Sequence, residues 1–345
     1  MTPTPQISDE IPARDGALEL DDDAPGGGAL DAAVPDTCAG QRLDKVLAVL
    51  FPQHSRSRLQ QWCDEGLVSV AGRVAGVRDK ARAGDTVHVD VPLLPEEAAF
   101  APEPMPLNVV YEDAALAVID KPAGLVVHPA AGNWSGTLLN GLLARYPETA
   151  GLPRAGIVHR LDKDTSGLLV TARTLEAQTA LVRLLQQRRV HRQYLALAWG
   201  RAARAFTVDA PIGRHPRDRL RMAVVPGGKP ARTDFVPLGA VDTRWGPLAA
   251  LRCELHSGRT HQIRVHLQHA GLALVADAVY GGRQRSDLPL RRQALHAARL
   301  GFAHPVDGRP LDFVSPISPD IATFWQECGG DVATLDPRQW PAATD

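Results

Sequence analysis

The 345-residue sequence predicts an α+β protein: a large domain built on a mainly antiparallel, mixed sheet, preceded by a small helix–helix–strand unit. Three observations carry that prediction. From Leu107 onward, strand-like and helix-like segments mix without the strict alternation of a doubly wound fold. Most of the strand-like segments alternate in the two-residue period of a sheet, where buried parallel strands would read as unbroken apolar runs. Ahead of them, residues 41–91 carry two short amphipathic helix patterns followed by strands.

The elements follow in order. Residues 1–38 are rich in Asp, Ala, Gly and Pro around "DDDAPGGG", which predicts a disordered acidic tail. In "QRLDKVLAVLF", Leu43, Val46, Leu47 and Leu50 make one stripe of a helix. In "SRSRLQQWCDEG", Ser55 caps a second helix, Leu59, Trp62 and Cys63 form its stripe and Gly66 ends it. "LVSV", a turn at Ala71-Gly72 and the alternating "DTVHVDV" read as a small sheet. Residues 92–106 hold five prolines and read as an extended linker. Residues 107–327 form the large domain, with helices at "GTLLNGLLARYP", "TLEAQTALVRLLQQRRV" and "THQIRVHLQHAG". In the strand "HRQYLALAW", Arg192, Tyr194, Ala196 and Ala198 share one face, opposite Leu195, Leu197 and Trp199. Residues 328–345 read as a second tail.

Composition bounds the class. Hydrophobic residues make up 44% and charged residues 22%, as in a globular domain, and no apolar run reaches membrane-spanning length. "MTPTPQISDEIPARDG" lacks the basic start and apolar core of a secretory leader. Four scattered cysteines, with no C-x-x-C pair, suit a reducing cytoplasm. The net charge of −1 conceals an asymmetry: residues 1–37 carry nine acidic groups against Arg14 alone, so the remainder is basic. Residues 183–232 hold twelve Lys/Arg against Asp209 and Asp218, which suits either a solvated face or a polyanionic partner.

The densest chemistry lies in "GIVHRLDKDTSG", Gly156 to Gly167. Asp-Lys-Asp-Thr-Ser-Gly is good turn chemistry in its own right. Yet Arg160 and Asp162, two apart on a segment expected to lead out of a strand, would put a charged pair on one face at the strand's end. Other site types find no support. There is no G-x-x-x-x-G-K-[ST] or G-x-G-x-x-G phosphate cradle, no H-E-x-x-H zinc helix and no G-x-S-x-G elbow. What remains is a carboxylate among arginines, with no cofactor or metal implied.

Several motifs together give this a family. "GIVHRLDKDTSGLLV" closely resembles the signature loop of the RluA/RluD-type pseudouridine synthases. "VIDKPAGLVVHPAAGN", "LHSGRTHQIRVHL", "DAVYGG" and "ALHAARLGFAHP" resemble their other motifs, in the same order. Residues 41–91, with Arg56 and Arg58 at the start of the second helix, resemble the S4 RNA-binding domain, so the likeness spans about 41–325 and is closest to the branch acting on large-subunit ribosomal RNA. One departure is visible: where the family often has Gly before the Asp of its G-D-x-x-Y-G motif, this chain has Ala276 before Asp277.

The resemblance implies an isomerase that breaks the N1–C1′ bond of uridine within RNA, turns the uracil and rejoins it through C5, without metal or cofactor. It implies Asp162 as the catalytic carboxylate, Arg264 as its partner, Tyr194 stacking on the base and Leu295 lining the uracil pocket. Arg160 would fill the space left by a flipped base, and Arg56 and Arg58 would meet RNA phosphates. No role for His159 follows. Three rival readings stand beside this one: a synthase acting on transfer RNA or another RNA, a non-catalytic RNA-binding or ribosome-assembly factor, and an unrelated carboxylate enzyme. The last would need a second catalytic carboxylate, which nothing nominates. Free RNA and a pre-ribosomal particle are both open as substrate, and nothing calls for more than a monomer.

Overall fold

The computed structural model describes residues 28–92, 99–130, 132–218, 221–281 and 286–341. The chain divides into two compact units, Met1–Ala98 and Ala99–Asp345.

In the first unit, helices α1 (Leu43–Leu50) and α2 (Arg56–Asp64) pack with a four-stranded antiparallel sheet in the order β1-β4-β2-β3. Its strands are β1 (Gly28–Ala33), β2 (Val68–Val70), β3 (Arg73–Val74) and β4 (Thr86–Val91). The predicted stripes are the core: Leu43, Val46, Leu47, Leu59, Trp62, Val68, Val87 and Val89 are buried together. Ser55 Oγ accepts the Arg58 N–H at 3.4 Å, capping α2 as its sequence suggests. One expectation fails here. Residues 28–38, assigned to a disordered tail, form β1 and a 3₁₀ turn at Asp36–Cys38. β1 pairs with β4 from Gly28↔Val91 to Ala33↔Thr86. The reason is a short alternation, Leu30, Ala32, Val34, whose side chains join the core beside Cys38. Residues 1–27 of that tail lie outside the described residues.

The second unit is built on a nine-stranded sheet. Its strands are β5 (Val109–Glu112), β6 (Leu116–Lys121), β7 (Ser166–Ala172), β8 (His191–Trp199), β9 (Phe206–Asp209), β12 (Arg232–Thr243), β13 (Gly246–Leu255), β14 (Leu295–Ala303) and β15 (Pro310–Val314). The order is β5-β6-β7-β14-β8-β13-β12-β9, with β15 also on β14. Every pairing is antiparallel except β7 with β14, which is parallel at Ser166 and Gly167. A separate hairpin joins β10 (Ile212–Arg214) to β11 (Met222–Val224). Helices α3 (Leu138–Arg145), α4 (Leu175–Gln186), α5 (Gln262–His269) and α6 (Pro319–Glu327) cover the sheet. Strand β8 is buried on both faces: Tyr194, Ala196 and Ala198 belong to one core cluster, Leu195 and Leu197 to another.

Two flanking segments are more ordered than their composition suggests. Of the proline-rich linker, residues 93–98 lie outside the described residues, while 99–106 pack on this unit, where Asn140 Nδ2 donates to the carbonyls of Ala99 and Ala101. The stretch from 328, read as a tail, turns through 3₁₀ segments at Val332–Leu335 and Pro337–Gln339. Leu335 and Trp340 are buried in the core beside α6, so two large apolar groups among polar neighbours are enough to fix it. Replacing Trp340 by alanine is expected to lower stability by about 3 kcal/mol, as deletion of a buried aromatic does. A urea titration followed by fluorescence checks this; an unchanged midpoint would mean the segment is a tail after all.

Candidate active site

The signature loop does not lead out of a strand, as the sequence suggested; it leads into one. Ile157 forms a bridge with Thr171, and the chain then reaches β7 at Ser166. Glycines make this close approach possible at both ends. A Cβ on Gly156 (φ 79°) would lie 1.9 Å from the Ala172 carbonyl oxygen, and one on Gly167 2.2 Å from that of Ala297. Leu161 is buried between them, which turns Arg160 and Asp162 the other way.

The loop is then held from two sides. Lys121, fully buried at the end of β6, donates Nζ hydrogen bonds to the carbonyls of Pro122, Leu125 and Lys163 at 2.8–2.9 Å. Burial pushes its amine down to about 8, against the pull of the Asp164 and Asp162 charges. From the other side, Arg292 Nη1 donates to the Asp164 carbonyl at 3.0 Å and Gln293 Nε2 to Thr165 Oγ1 at 3.1 Å. Ser166 Oγ and His296 Nδ1 lie 2.9 Å apart. His159 acquires a role here: its Nε2 accepts the Val170 N–H at 3.0 Å, pinning the loop to β7. Burial, with the Arg192 charge nearby, holds its imidazole down at about 3, so it is neutral.

Asp162 is the centre of the arrangement. Arg264, buried on α5, donates Nη1 to Asp162 Oδ2 at 3.0 Å. Its other two nitrogens form a fork on Asp277: Nε to Oδ2 at 2.7 Å and Nη2 to Oδ1 at 2.9 Å. Asp277 also accepts the N–H groups of Val279 and Tyr280, both at 2.9 Å. Burial opposes the charge on both partners, but these bonds and the mutual field outweigh it. The Asp277 carboxyl is therefore held below its ordinary range and the Arg264 guanidinium above its own. Ala276, in place of the family's glycine, sits at φ 54°, the left-handed region where a Cβ is strained. That is the physical reason a glycine suits the position, and the alanine does not prevent the Asp277 contacts.

Tyr194 and Leu295 are both buried and line the same cavity as Asp162, Arg160 and Arg264; its volume is about 770 Å³. Leu295 opens β14 and pairs with Ala196 of β8. Burial raises the Tyr194 phenol to about 12, so it is neutral. Arg160 is exposed on the cavity wall. The sequence-predicted residues Asp162, Arg264, Tyr194, Arg160 and Leu295 thus converge, although they are spread over 136 positions from Arg160 to Leu295. Arg56 (exposed) and Arg58 (half-buried) lie on the first turn of α2 in the other unit.

Sequence reasoning missed Asp277, Lys121, Arg292 and His261. His261 Nε2 lies 4.0 Å from Asp162 Oδ1, and its Nδ1 is 2.8 Å from the Tyr280 hydroxyl. Each lies inside or beside a quoted motif, but pairings across 13 to 128 positions are invisible to local pattern. Among the described residues no cluster of His, Cys, Asp and Glu could hold a metal, and no helix is long and apolar enough to cross a membrane.

Comparison with known proteins shows the family. The model for RNA pseudouridylate synthase matches residues 115–269, and that for the S4 domain matches 41–87. The chain is 52% identical over 303 residues to the ribosomal large subunit pseudouridine synthase D of Xanthomonas campestris pv. campestris, covering 84% of this chain and 89% of that one. It is 49% identical over 304 residues to the protein of the same name from Nitrosomonas europaea, covering 86% and 87%. Among solved structures, human RNA pseudouridylate synthase domain containing 1 matches with a TM-score of 0.53 at 28% identity, covering 64% of this chain and 90% of that one. The chain belongs to the RNA pseudouridine synthases, isomerases of uridine within RNA, and carries an S4 domain at its N-terminal side.

Two predictions follow from the loop's supports. An unfolded histidine binds protons below about pH 6.5, whereas folded His159 does so only near 3. The folded state therefore loses stability as pH falls from about 6.5 toward 3. His159→Gln, which can still accept from Val170, is expected to flatten that decline in denaturant titrations across the range; an equal slope would assign the neutral imidazole elsewhere. Ala276→Gly is expected to raise stability by up to about 1 kcal/mol by relieving the left-handed alanine. A lower midpoint would show that the turn carries no strain.

Proposed function

We propose that this chain converts specific uridines of large-subunit ribosomal RNA to pseudouridine, with Asp162 as the catalytic carboxylate and the target base turned out of its stack. The observation that carries this is the Asp162 carboxylate lining the cavity, ion-paired at 3.0 Å to buried Arg264, with Tyr194 and Leu295 beside it. The names of the two bacterial relatives supply the RNA.

The chemistry suits these residues. Breaking the N1–C1′ bond builds positive charge at C1′, which an adjacent carboxylate stabilises, whether by charge, by covalent addition or by removing a sugar proton. Arg264 aims Asp162 through their 3.0 Å ion pair and sets a positive charge beside it. Uracil then rejoins through C5; the proton lost from C5 is balanced by the one gained at N1. Tyr194 offers an apolar ring for the base to stack on, and Leu295 a wall. Arg160, long and exposed at the cavity, enters the gap the flipped base leaves, offsetting an unstacking cost of a few kcal/mol. Arg56 and Arg58 meet phosphates, so affinity falls as salt rises. The enzyme acts as a monomer in the cytoplasm, a compartment that suits its four unpaired cysteines.

Tritium release from C5-tritiated uridine in large-subunit ribosomal RNA tests the reading. Wild type is expected to release tritium and Asp162→Asn to release none while still binding RNA; release by both would move the catalytic role elsewhere, with Asp164 the next candidate. Arg160→Ala is expected to lose about tenfold or more in turnover on a folded stem-loop, and little on an unstructured oligonucleotide, because only the former must be unstacked. Equal losses on both would remove the flipping role.

A further inference from the structure

Arg192 is the one buried arginine of the cavity that the reaction as described does not use. Six arginines line that cavity, namely Arg154, Arg160, Arg188, Arg192, Arg259 and Arg264, against a single carboxylate, Asp162, which Arg264 already engages. Arg154, Arg160, Arg188 and Arg259 are exposed, where water compensates their charge. Arg192 is only 6% exposed. Its guanidinium makes no hydrogen bond or ion pair with any described residue, and its Nε is buried without a partner. Its neighbours are neutral groups: the His159 imidazole, the Tyr194 phenol two residues along the same face of β8, and the backbone at Gly258, where a Cβ would meet Nη1 at 2.9 Å. A buried cation with no counter-charge is strongly destabilising, and burial duly pushes this guanidinium below its ordinary value. No described side chain supplies the counter-charge, and the residue lines the cavity.

We infer that Arg192 is completed by the substrate: it binds a backbone phosphate of the RNA strand whose uridine enters the cavity. This deepens the function proposed above and rests on it. A phosphate supplies both what the guanidinium lacks, a counter-charge and acceptors for its parallel N–H groups. A uracil carbonyl supplies acceptors alone. The placement fits a single strand. Arg192 and Tyr194 lie about 7 Å apart along β8, so a base stacked on the tyrosine carries its sugar–phosphate within reach of the arginine. Unlike the exposed arginines of the basic segment, Arg192 would engage only an RNA whose target nucleotide has left the stack. It therefore couples affinity to the flipped state.

The test is a binding measurement with the full chain and an RNA stem-loop of large-subunit ribosomal sequence, in which each loop phosphate in turn is replaced by an uncharged methylphosphonate. Wild type is expected to lose about tenfold in affinity at one position, as for loss of one charge-assisted contact. Arg192→Gln is expected to lose about as much on unmodified RNA, to lose nothing further at that position, and to show a salt dependence shallower by about one ion. Arg192→Lys retains most of the affinity. Gly258→Ala, which crowds Nη1 without removing charge, weakens the same position and serves if the glutamine variant fails to fold. The inference is overturned if Arg192→Gln binds unmodified RNA as wild type does, or if it keeps the full methylphosphonate sensitivity at every position. Affinity is read without turnover, so a wild type that binds in this pattern but releases no tritium would retire the proposed reaction and leave the phosphate contact standing.

Discussion

The fork between Arg264 and Asp277 is the contact on which the rest of the site depends. Asp277 is fully enclosed and accepts four hydrogen bonds, two of them from Arg264. A guanidinium held in plane by two bonds has one orientation left for its remaining nitrogen, and Nη1 reaches Asp162. Breaking such a buried pair by removing one member costs about 3–5 kcal/mol, because the other charge is stranded. The carboxylate proposed to act on RNA is thus aimed by a second carboxylate that faces no solvent at all. The pairing brings α5, the turn at Asp277 and the signature loop to one point, although Asp162 and Arg264 are 102 positions apart.

The second requirement is a loop that cannot drift. Lys121, from β6, and Arg292, just ahead of β14, bind the carbonyls of Lys163 and Asp164, the two residues after Asp162, and β6 and β14 flank β7 in the sheet. Gly156 and Gly167 let the loop's ends touch strands that a methyl group would hold away. All of this is arranged over the middle of the sheet, where β7, β14 and β8 meet. Preorganisation of this kind lets a single carboxylate meet developing charge without moving at the moment of reaction.

How much of this was legible in the sequence follows from the range of each interaction. Periodicity is local, so the stripe of α1, the Ser55 cap and the alternation of β8 could be read directly. The residues brought together around Asp162 could be nominated only because several motifs in order resemble one family. Their partners could not. Nothing local says that Lys121 turns its amine inward, that His159 accepts a backbone N–H, or that Asp277 closes on Arg264. Composition misled at both flanks. Gly, Ala and Asp suggested disorder through residue 38, yet Leu30, Ala32 and Val34 suffice to add a strand to a waiting sheet edge. Polar neighbours likewise hid Leu335 and Trp340, which the core beside α6 takes in. The charge count foresaw a basic body but could not separate exposed arginines from Arg192, whose isolation is visible only once burial and partners are known.

On the function proposed above, Asp162 works because Arg264 is locked by Asp277. Turnover of Asp277→Asn on large-subunit ribosomal RNA, measured by tritium release beside RNA affinity and circular dichroism, tests it most directly. Asp277 is sealed from the cavity, so a folded variant is expected to keep RNA affinity within a few-fold while turnover falls by about 100-fold, the loss that a displacement near 1 Å produces. A folded Asp277→Asn protein with wild-type turnover would contradict the account, since Asp162 would then need no such support.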